Sequence, residues 1–269
     1  MRVLPVLAAI LVIGAAALPR TATAVEDSAL AKAVAAPERS PQFKARDPAR
    51  HPVKELEFFG IKPAMTVVEI WPGGGYWTEI LAPYLHDKGT YIVASPPPAP
   101  GGEMGNAAKA FQAKLDSDKT VYGNVKTVAF GKGSYDIAPP GSVDLIVTFR
   151  NLHNWMAMGF ADEAMAAFFK ALKPGGVLGI EDHRAATDQP QDPTAKSGYV
   201  REDYTIALAE KAGFKLVGKS EINANPKDPK DGIVWRLPPT FMFKDKDHDK
   251  YAAIGEADNF VLKFEKPKQ

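Results

Sequence analysis

The chain has 269 residues, of which 24% are charged, and it contains no cysteine. Arg2 and Arg20 are the only charged residues of segment 1–24, so residues 25–269 carry 31 basic and 32 acidic side chains. This balance gives no electrostatic support for nucleic acid or an anionic membrane as a partner. The missing cysteines exclude disulfides and thiolate metal sites, and the length fits one large α/β domain.

The first 24 residues have the pattern of a secretion signal. Met1-Arg2 is positive, Val3 to Leu18 are almost all apolar, and Ala22-Thr23-Ala24 matches a small-x-small cleavage site. The apolar run is short for a membrane-spanning helix, which needs about 20 residues, although retention as an N-terminal anchor is an alternative. We therefore predict a cleaved signal peptide over 1–24, a single domain with a helical lead-in over 25–269, and a periplasmic or secreted protein without stable membrane insertion.

Strand-like and helix-like segments alternate along the rest of the chain. Helical spacing of apolar residues and glycine stops predict helices over 26–36, 51–59, 76–85, 106–115, 161–172 and 201–212. Short apolar runs predict strands over 65–70, 90–94, 125–130, 143–149, 177–181, 214–219 and 260–264, and the prolines of 95–102 predict a loop. This alternation is typical of a mostly parallel seven-stranded sheet with helices on both faces.

The most informative stretch of the chain runs from Thr66 to Glu79. An apolar strand ends at the acidic Glu69, a glycine turn follows over Gly73-Gly-Gly75, and a helix then begins. Glycines let the backbone approach a ligand closely, and the free N–H groups of a helix start favour polar or anionic atoms. The stretch therefore predicts a ligand site, with a tight turn that binds nothing as the alternative.

Two other predicted strands also end in chemically capable residues. Strand 143–149 leads into Arg150-Asn-Leu-His-Asn-Trp155, and strand 177–181 leads into Glu181-Asp-His-Arg184. Ligands of open parallel sheets bind at the carboxyl ends of the strands, close to the switch in strand order. The three strand ends together therefore predict one site.

These pieces, in this order, resemble class I S-adenosylmethionine-dependent methyltransferases, and within them a family of predicted methyltransferases often found with export signals. The resemblance covers roughly residue 39 to the C-terminus. It rests on Phe58-Phe-Gly-Ile-Lys-Pro63, the Glu69 to Gly75 loop, Val143-Asp-Leu-Ile-Val-Thr-Phe-Arg-Asn-Leu-His153, Leu172-Lys-Pro-Gly-Gly-Val-Leu178 and Ala212-Gly-Phe214. It implies a Rossmann-like fold and S-adenosylmethionine-dependent methyl transfer to a small molecule.

The resemblance also implies roles for particular residues. Glu69 and the backbone of Gly73, Gly74 and Gly75 hold the methionine part of the cofactor, and Asn151 and His153 lie beside the methyl donor. Tyr76 shapes the cofactor side of the pocket, whereas core packing is the better interpretation of Trp77. The cofactor-binding set is Glu69, Trp71, Gly73, Gly74, Gly75, Tyr76, Ser95, Arg150 and Asn151.

Two departures from the methyltransferase pattern predict weak cofactor binding. Trp71 replaces the first glycine of acid-x-Gly-x-Gly-x-Gly, where an indole either fills cofactor space or reshapes the turn. Ser95 stands where such enzymes commonly have a ribose-binding acid after the second strand, and its hydroxyl cannot make a charge-assisted hydrogen bond. The chain also lacks the Asn/Asp-Pro-Pro-Tyr motif of base-methylating enzymes, which argues against a nucleic-acid substrate.

His153, Asp182 and His183 are the candidates for acid–base catalysis. A neutral imidazole accepts a proton from a hydroxyl or amine near physiological pH, and Asp182 is placed to orient either histidine. A structural role is the alternative for both histidines. A different class of function is also open, because His153, Met156 and Met158 form a soft ligand set that suits Cu(I), with His183 to complete it. A third hypothesis is an exported ligand-binding protein that has lost catalysis.

Overall fold

The computed structural model describes residues 27–97 and 102–268, so the predicted signal peptide lies outside the described residues. None of the described helices is long and apolar enough to cross a membrane. The helices are α1 (Ser28–Ala35), α2 (Pro41–Lys44), α3 (Asp47–Arg50), α4 (Pro52–Phe59), α5 (Thr78–Leu85), α6 (Gly102–Ser117), α7 (Lys119–Tyr122), α8 (Leu152–Met158), α9 (Ala161–Ala171), α10 (Glu202–Lys211) and α11 (His248–Ile254). The strands are β1 (Thr66–Ile70), β2 (Thr90–Ser95), β3 (Lys126–Ala129), β4 (Val143–Phe149), β5 (Leu172–His183), β6 (Lys215–Ser220) and β7 (Asn259–Glu265).

In the described part of the chain, seven strands form one sheet in the order β3-β2-β1-β4-β5-β7-β6. β7 runs antiparallel to both of its neighbours, and the other pairings are parallel. The mostly parallel seven-stranded sheet predicted from the sequence is thus confirmed. The strand order reverses between β1 and β4, which pair directly, so a crevice opens at their carboxyl ends.

Two hydrophobic clusters cover the two faces of the sheet. Successive side chains of a strand point to opposite faces, so Val67 lies in the cluster with α4 and α5, whereas Val68 lies in the cluster with α8 and α9. Trp77 is buried in the first cluster and stacks on Phe149, with ring centroids 3.9 Å apart. The packing role predicted for Trp77 is therefore confirmed.

The predicted elements differ from the structure mainly near the site. β5 begins at Leu172 rather than at 177, because Leu172 already pairs with Val143 before a register shift. The residues after β4 form a helix, α8, which the sequence did not predict and which ends at Gly159 in a left-handed conformation. The polar lead-in likewise contains two short helices, α2 and α3, each with a proline in its first turn.

Candidate functional site

The carboxyl ends of β1, β4 and β5 lie side by side, as predicted. An unusual backbone turn directly follows two of these strands, β1 and β4. Trp71 and Arg150, the residues that follow β1 and β4, have φ values of 51° and 61°. Their N–H groups donate to carbonyls of the neighbouring strands, Trp71 to Ala94 at 2.8 Å and Arg150 to Glu181 at 2.7 Å. Positive φ at non-glycine residues costs free energy and concentrates at functional sites, so these turns mark the crevice.

Only part of the glycine turn, Gly73 and Gly74, borders the crevice. Gly73, with φ 57°, borders the cavities on both sides of the turn, and a Cβ at this position would meet open space. Gly74 borders one cavity. Gly75 borders neither, and a Cβ there would lie 2.9 Å from the side chain of Lys114 and 3.3 Å from that of Phe111. The absence of a Cβ at Gly75 therefore accommodates the packing of α6, and the cofactor role of its backbone stays a prediction.

Trp71 reshapes the turn and is anchored at the wall of the crevice. Its indole Nε1 donates to the carbonyl of Phe130 at 2.9 Å, and its ring packs edge-on to Trp155 and tilted against Phe160. These contacts hold the indole against the core on the α8 side of the sheet. Of the two possibilities left open by the sequence, a reshaped turn agrees with this geometry.

An apolar cavity of about 250 Å³ lies on one side of the glycine turn. Its walls come from the turn after β1, the end of β2 with Pro96, helix α6, and helix α8 with the residue before it. None of its described lining residues is acidic, so Ser95 is not compensated by a carboxylate from elsewhere in the described chain. The lining residues are Trp71, Pro72, Gly73, Ser95, Pro96, Ala107, Ala108, Phe111, Asn151, Asn154 and Met158.

A polar cavity of about 210 Å³ lies on the other side of the turn. Arg46, Arg50 and Arg150 border it, and all three approach the same carboxylate, that of Glu256. Arg46 makes a bidentate pair with Glu256 at 2.6 and 2.8 Å, Arg150 donates to it at 2.9 Å, and Arg50 lies 3.6 Å away. Burial acts to raise the pKa of Glu256, but Arg46 and Arg150 hold it below the ordinary value. Three guanidinium groups therefore share the Glu256 carboxylate.

Glu69 borders the polar cavity but is directed into the sheet. Its Oε2 accepts hydrogen bonds from Thr78 Oγ1 at 2.9 Å and from the Tyr91 hydroxyl, and the residue is almost wholly buried. Burial raises the pKa of Glu69 to about 7, although the hydrogen bonds from Tyr91 and Thr78 act to lower it. Near neutral pH this carboxyl group is therefore close to half-ionised.

Tyr76 and Asn151 brace the cavities that they border. The Tyr76 hydroxyl donates to Asp47 at 2.6 Å, and the Arg50 guanidinium lies 4.5 Å from the centre of its ring, so Tyr76 fastens the α3 segment over the glycine turn. Asn151 Nδ2 donates to the carbonyls of Ile70 and Trp71 at 3.0 and 3.3 Å. The cofactor role of these two residues stays a prediction.

His153, Asp182 and His183 are brought together, as the sequence predicted. A ring nitrogen of each histidine and a carboxylate oxygen of Asp182 lie within 4.8 Å of one another. Asp182 Oδ1 pairs with His153 Nδ1 at 2.8 Å, and the backbone N–H groups of both histidines also donate to this carboxylate. Burial acts to raise the pKa of Asp182, but His153 and His183 hold it below the ordinary value, so the carboxylate is ionised.

A third cavity, the imidazole cavity, of about 200 Å³, is bordered by both histidine rings. Arg150 borders this cavity and the polar cavity, and so joins them. Burial lowers the pKa of His183 to about 3, which keeps its ring neutral. The lining residues are Arg150, His153, Asn154, His183, Val234, Trp235, Pro238, Pro239, Thr240 and Ala257.

The fold is similar to those of solved structures, although no protein-family model and no curated protein matches the chain. An S-adenosylmethionine-dependent methyltransferase from Aquifex aeolicus is 18% identical with a TM-score of 0.56, over 82% of this chain and 93% of that one. Haemonchus contortus phosphoethanolamine N-methyltransferase 2, in complex with S-adenosyl-L-methionine, is 15% identical with a TM-score of 0.55, over 81% and 53%. The chain has the class I methyltransferase fold.

The methyltransferase fold alone does not establish the reaction. The cyclase SpnF is 14% identical to this chain, with a TM-score of 0.57 over 82% of this chain and 81% of that one. One architecture therefore carries activities of different classes, and the reaction must be argued from the site.

The Cu(I) hypothesis does not fit this methyltransferase fold. Met156 is buried in the hydrophobic cluster between α8, α9 and the sheet. Met158 borders the apolar cavity, whereas His153 borders the imidazole cavity. Since α8 directs the three side chains to different places, the His-x-x-Met-x-Met pattern does not form one ligand set.

Several residues of the site were not identified from the sequence. Arg46 and Arg50 belong to a lead-in whose arginine content was the only available signal. Glu256 and Trp235 come from the C-terminal third of the chain, 106 and 85 residues after Arg150, with no motif around them. Only the tertiary fold brings these residues to the crevice.

Proposed function

We propose that the protein binds S-adenosylmethionine across the glycine turn and transfers its methyl group to a small molecule in the imidazole cavity. One observation carries this proposal. An apolar cavity and an arginine-lined cavity adjoin at Gly73, and Arg150 connects the second of them to a pair of imidazoles.

The chemistry of the two adjoining cavities fits the two ends of this cofactor. Phe111, Ala107 and Ala108 of α6 offer an apolar surface to a purine ring. Arg46 and Arg50 offer cations to the carboxylate of an amino acid, with Arg46 the more accessible of the two. Gly73, which lines both cavities without a side chain, leaves the backbone open to the middle of the ligand.

The site residues also set the expected strength of binding. Ser95 replaces the charged partner that would hold ribose hydroxyls, and Glu69 is buried and only partly ionised near neutral pH. A charge-assisted hydrogen bond is about twice as strong as a neutral one. Binding should therefore be weaker than in a site with two ionised acids facing the ligand.

In the reaction, S-adenosylmethionine would supply an electrophilic methyl group bound to a sulfonium. Among the protein's own residues, His153 acts as the general base. With Nδ1 paired to the ionised Asp182, its Nε2 is free to accept the proton of an acceptor hydroxyl. Asp182 fixes the ring and stabilises the imidazolium that forms, while Arg150 stabilises the developing anion. Methyl transfer needs little more than this base and in-line positioning.

We also propose that residues 1–24 are a cleaved signal peptide and that the protein acts in the periplasm or after secretion. The positive start, apolar run and Ala22-Thr23-Ala24 support this location. A chain secreted unfolded carries no bound cofactor, so ligand must reach it outside the cytoplasm. N-terminal sequencing of the protein from the periplasmic fraction should begin at Val25; a cytoplasmic protein that begins at Met1 would contradict the proposal.

Calorimetry with S-adenosylmethionine and S-adenosylhomocysteine tests the cofactor site. Ala108 is exposed and borders the apolar cavity, so Ala108→Trp should fill the cavity and weaken binding at least tenfold. Ala110→Trp on the same helix is the matched control, because Ala110 is also exposed but borders none of the three cavities. Absence of heat and of thermal shift for the wild type at millimolar ligand would refute the proposed function.

A further inference from the structure

The imidazole cavity contains two hydrogen-bond acceptors that the protein leaves unused. The rings of His153 and His183 lie nearly parallel, with centroids 5.4 Å apart and planes inclined by 29°. Both rings border the same cavity, and neither Nε2 has a hydrogen-bond partner among residues 27–97 and 102–268. A polar atom beside a cavity without a partner indicates a place for a ligand group.

Hydrogen bonds on the far side of each ring establish which nitrogen carries the lone pair. His153 Nδ1 faces an ionised carboxylate, which can only accept, so Nδ1 carries the proton. His183 Nδ1 lies 2.7 Å from the amide oxygen of Asn259, which also accepts. In an imidazole that carries its proton on Nδ1, Nε2 is the acceptor, so the complementary ligand must offer one donor to each of two rings whose centroids lie 5.4 Å apart.

Charge in the cavity selects among ligands with two donors. The Arg150 guanidinium borders the same space, so an ammonium group or a metal ion would meet a cation there. Asp182 has only about one of its four lone-pair sites left for a metal ion, because its oxygens already accept three N–H groups. Uncharged hydroxyls have neither difficulty, and Arg150 favours the oxyanion that one of them forms on losing its proton.

The remaining walls indicate the shape of the ligand. Trp235 lies edge-on to His153 with centroids 6.0 Å apart, and the consecutive prolines Pro238 and Pro239 form another wall. These flat, apolar surfaces suit a ring. The volume of about 200 Å³ corresponds to roughly seven water molecules, which is room for one small ring with substituents.

We propose that the imidazole cavity binds a small ring compound with hydroxyls on two neighbouring carbons, each hydroxyl donating to one imidazole Nε2. As an assignment of the methyl acceptor, this rests on the proposed function; as a binding site, it does not. His153 receives the proton of one hydroxyl, and His183 holds the other hydroxyl in place.

Binding of dihydroxybenzene isomers to the metal-free wild-type protein tests the proposal, with titration calorimetry as the readout. Catechol has its hydroxyls on neighbouring carbons, whereas resorcinol and hydroquinone have the same atoms in other positions. We expect catechol to bind at least tenfold more tightly than either isomer and than 2-methoxyphenol, because each of these leaves one Nε2 unpaired. Equal binding of the isomers would overturn the proposal, as would a preference that appears only after zinc is added.

A variant identifies the second acceptor, and the design separates this proposal from the cofactor proposal. His183→Phe keeps a flat ring without the acceptor, and should remove the preference for catechol over resorcinol while phenol still binds. The isomer series on the wild type needs no variant, so it decides the matter if His183→Phe does not fold. All titrations are done without cofactor. Failure to bind S-adenosylmethionine would therefore refute the proposed function and leave the diol preference intact.

Discussion

The polar and imidazole cavities share Arg150 but differ in how their polar groups are satisfied. In the polar cavity, Arg46 and Arg150 are already paired with Glu256 at 2.6 to 2.9 Å. In the imidazole cavity, His153 and His183 are held at Nδ1, and neither Nε2 has a hydrogen-bond partner among the described residues. A ligand in the polar cavity must displace Glu256 or share its arginines, so its gain in binding free energy is reduced by the ion pairs that it weakens. A ligand in the imidazole cavity forms hydrogen bonds without displacing a protein partner. The arginines of the polar cavity thus stabilise the fold as well as offering cations to a ligand, whereas the imidazole acceptors are available to a ligand without loss of a protein contact.

The largest expected effect is a loss of stability when the ion pairs of the polar cavity are removed. Glu256→Gln removes the carboxylate that the three arginines share, and leaves the buried Arg50 guanidinium without an ion-pair partner in the described part of the chain. Loss of one partner of a buried ion pair costs about 3–5 kcal/mol. Chemical denaturation of the ligand-free protein should show a loss of stability of this size.

Glu221→Gln is the matched control for the Glu256 prediction. Glu221 also pairs with an arginine, Arg184, but its side chain is 62% exposed. Surface ion pairs contribute about 0–1 kcal/mol, so this variant should be nearly as stable as the wild type. Equal destabilisation by the two substitutions would show that the arginine cluster does not depend on Glu256.

The buried carboxyl group of Glu69, which borders the polar cavity, should make the stability of the fold depend on pH. Because burial raises the pKa of Glu69 to about 7, its contribution to stability is complete below the unfolded pKa of about 4.5 and is lost as the pH rises towards 7. Glu69→Gln cannot ionise. Between pH 4 and pH 8 the wild type should lose about 3 kcal/mol of stability relative to Glu69→Gln, measured by urea denaturation at each pH.

The exposed Glu163 provides the control for the Glu69 prediction. Glu163→Gln should follow the wild-type curve across the same pH range. If the Glu69→Gln curve also runs parallel to the wild type, the pKa of Glu69 is not raised in the folded protein.

The sequence predicted the fold and one half of the site. Strands β1 and β4 are short apolar runs rich in β-branched residues, and the acid and glycines after β1 are adjacent in sequence, so local patterns were sufficient to find them. His153 and Asp182 were found for a related reason, since His153 closely follows β4 and Asp182 lies at the end of β5. Their hydrogen bond then requires only that β4 and β5 be neighbours.

The other half of the site could not be predicted from local patterns. Glu256 reaches Arg46 across 210 residues, and no periodicity or motif encodes such a contact. The direction of Gly75 depends on where α6 packs, which is a tertiary property. Trp71 was noticed as a departure, but its anchoring to the Phe130 carbonyl follows from the pairing of β2 with β3 rather than from its neighbours in sequence.

The smallest of the three effects tests whether the imidazole cavity is prepared for catalysis. Asp182→Asn places an amide where His153 Nδ1 now donates, so the ring is expected to move its proton to Nε2 and lose the acceptor that faces the cavity. Loss of a general base typically costs about 10²-fold or more, or about 2.7 kcal/mol of barrier, in the single-turnover rate of methyl transfer to catechol. Long-range ¹H–¹⁵N NMR of the ring reports the tautomer without substrate.

Asp258→Asn is the control, because Asp258 is buried nearby but pairs with Lys230 rather than with a histidine. A His153 ring that keeps its Nδ1 proton in Asp182→Asn, with an unchanged rate, would show that Asp182 only stabilises the end of β5.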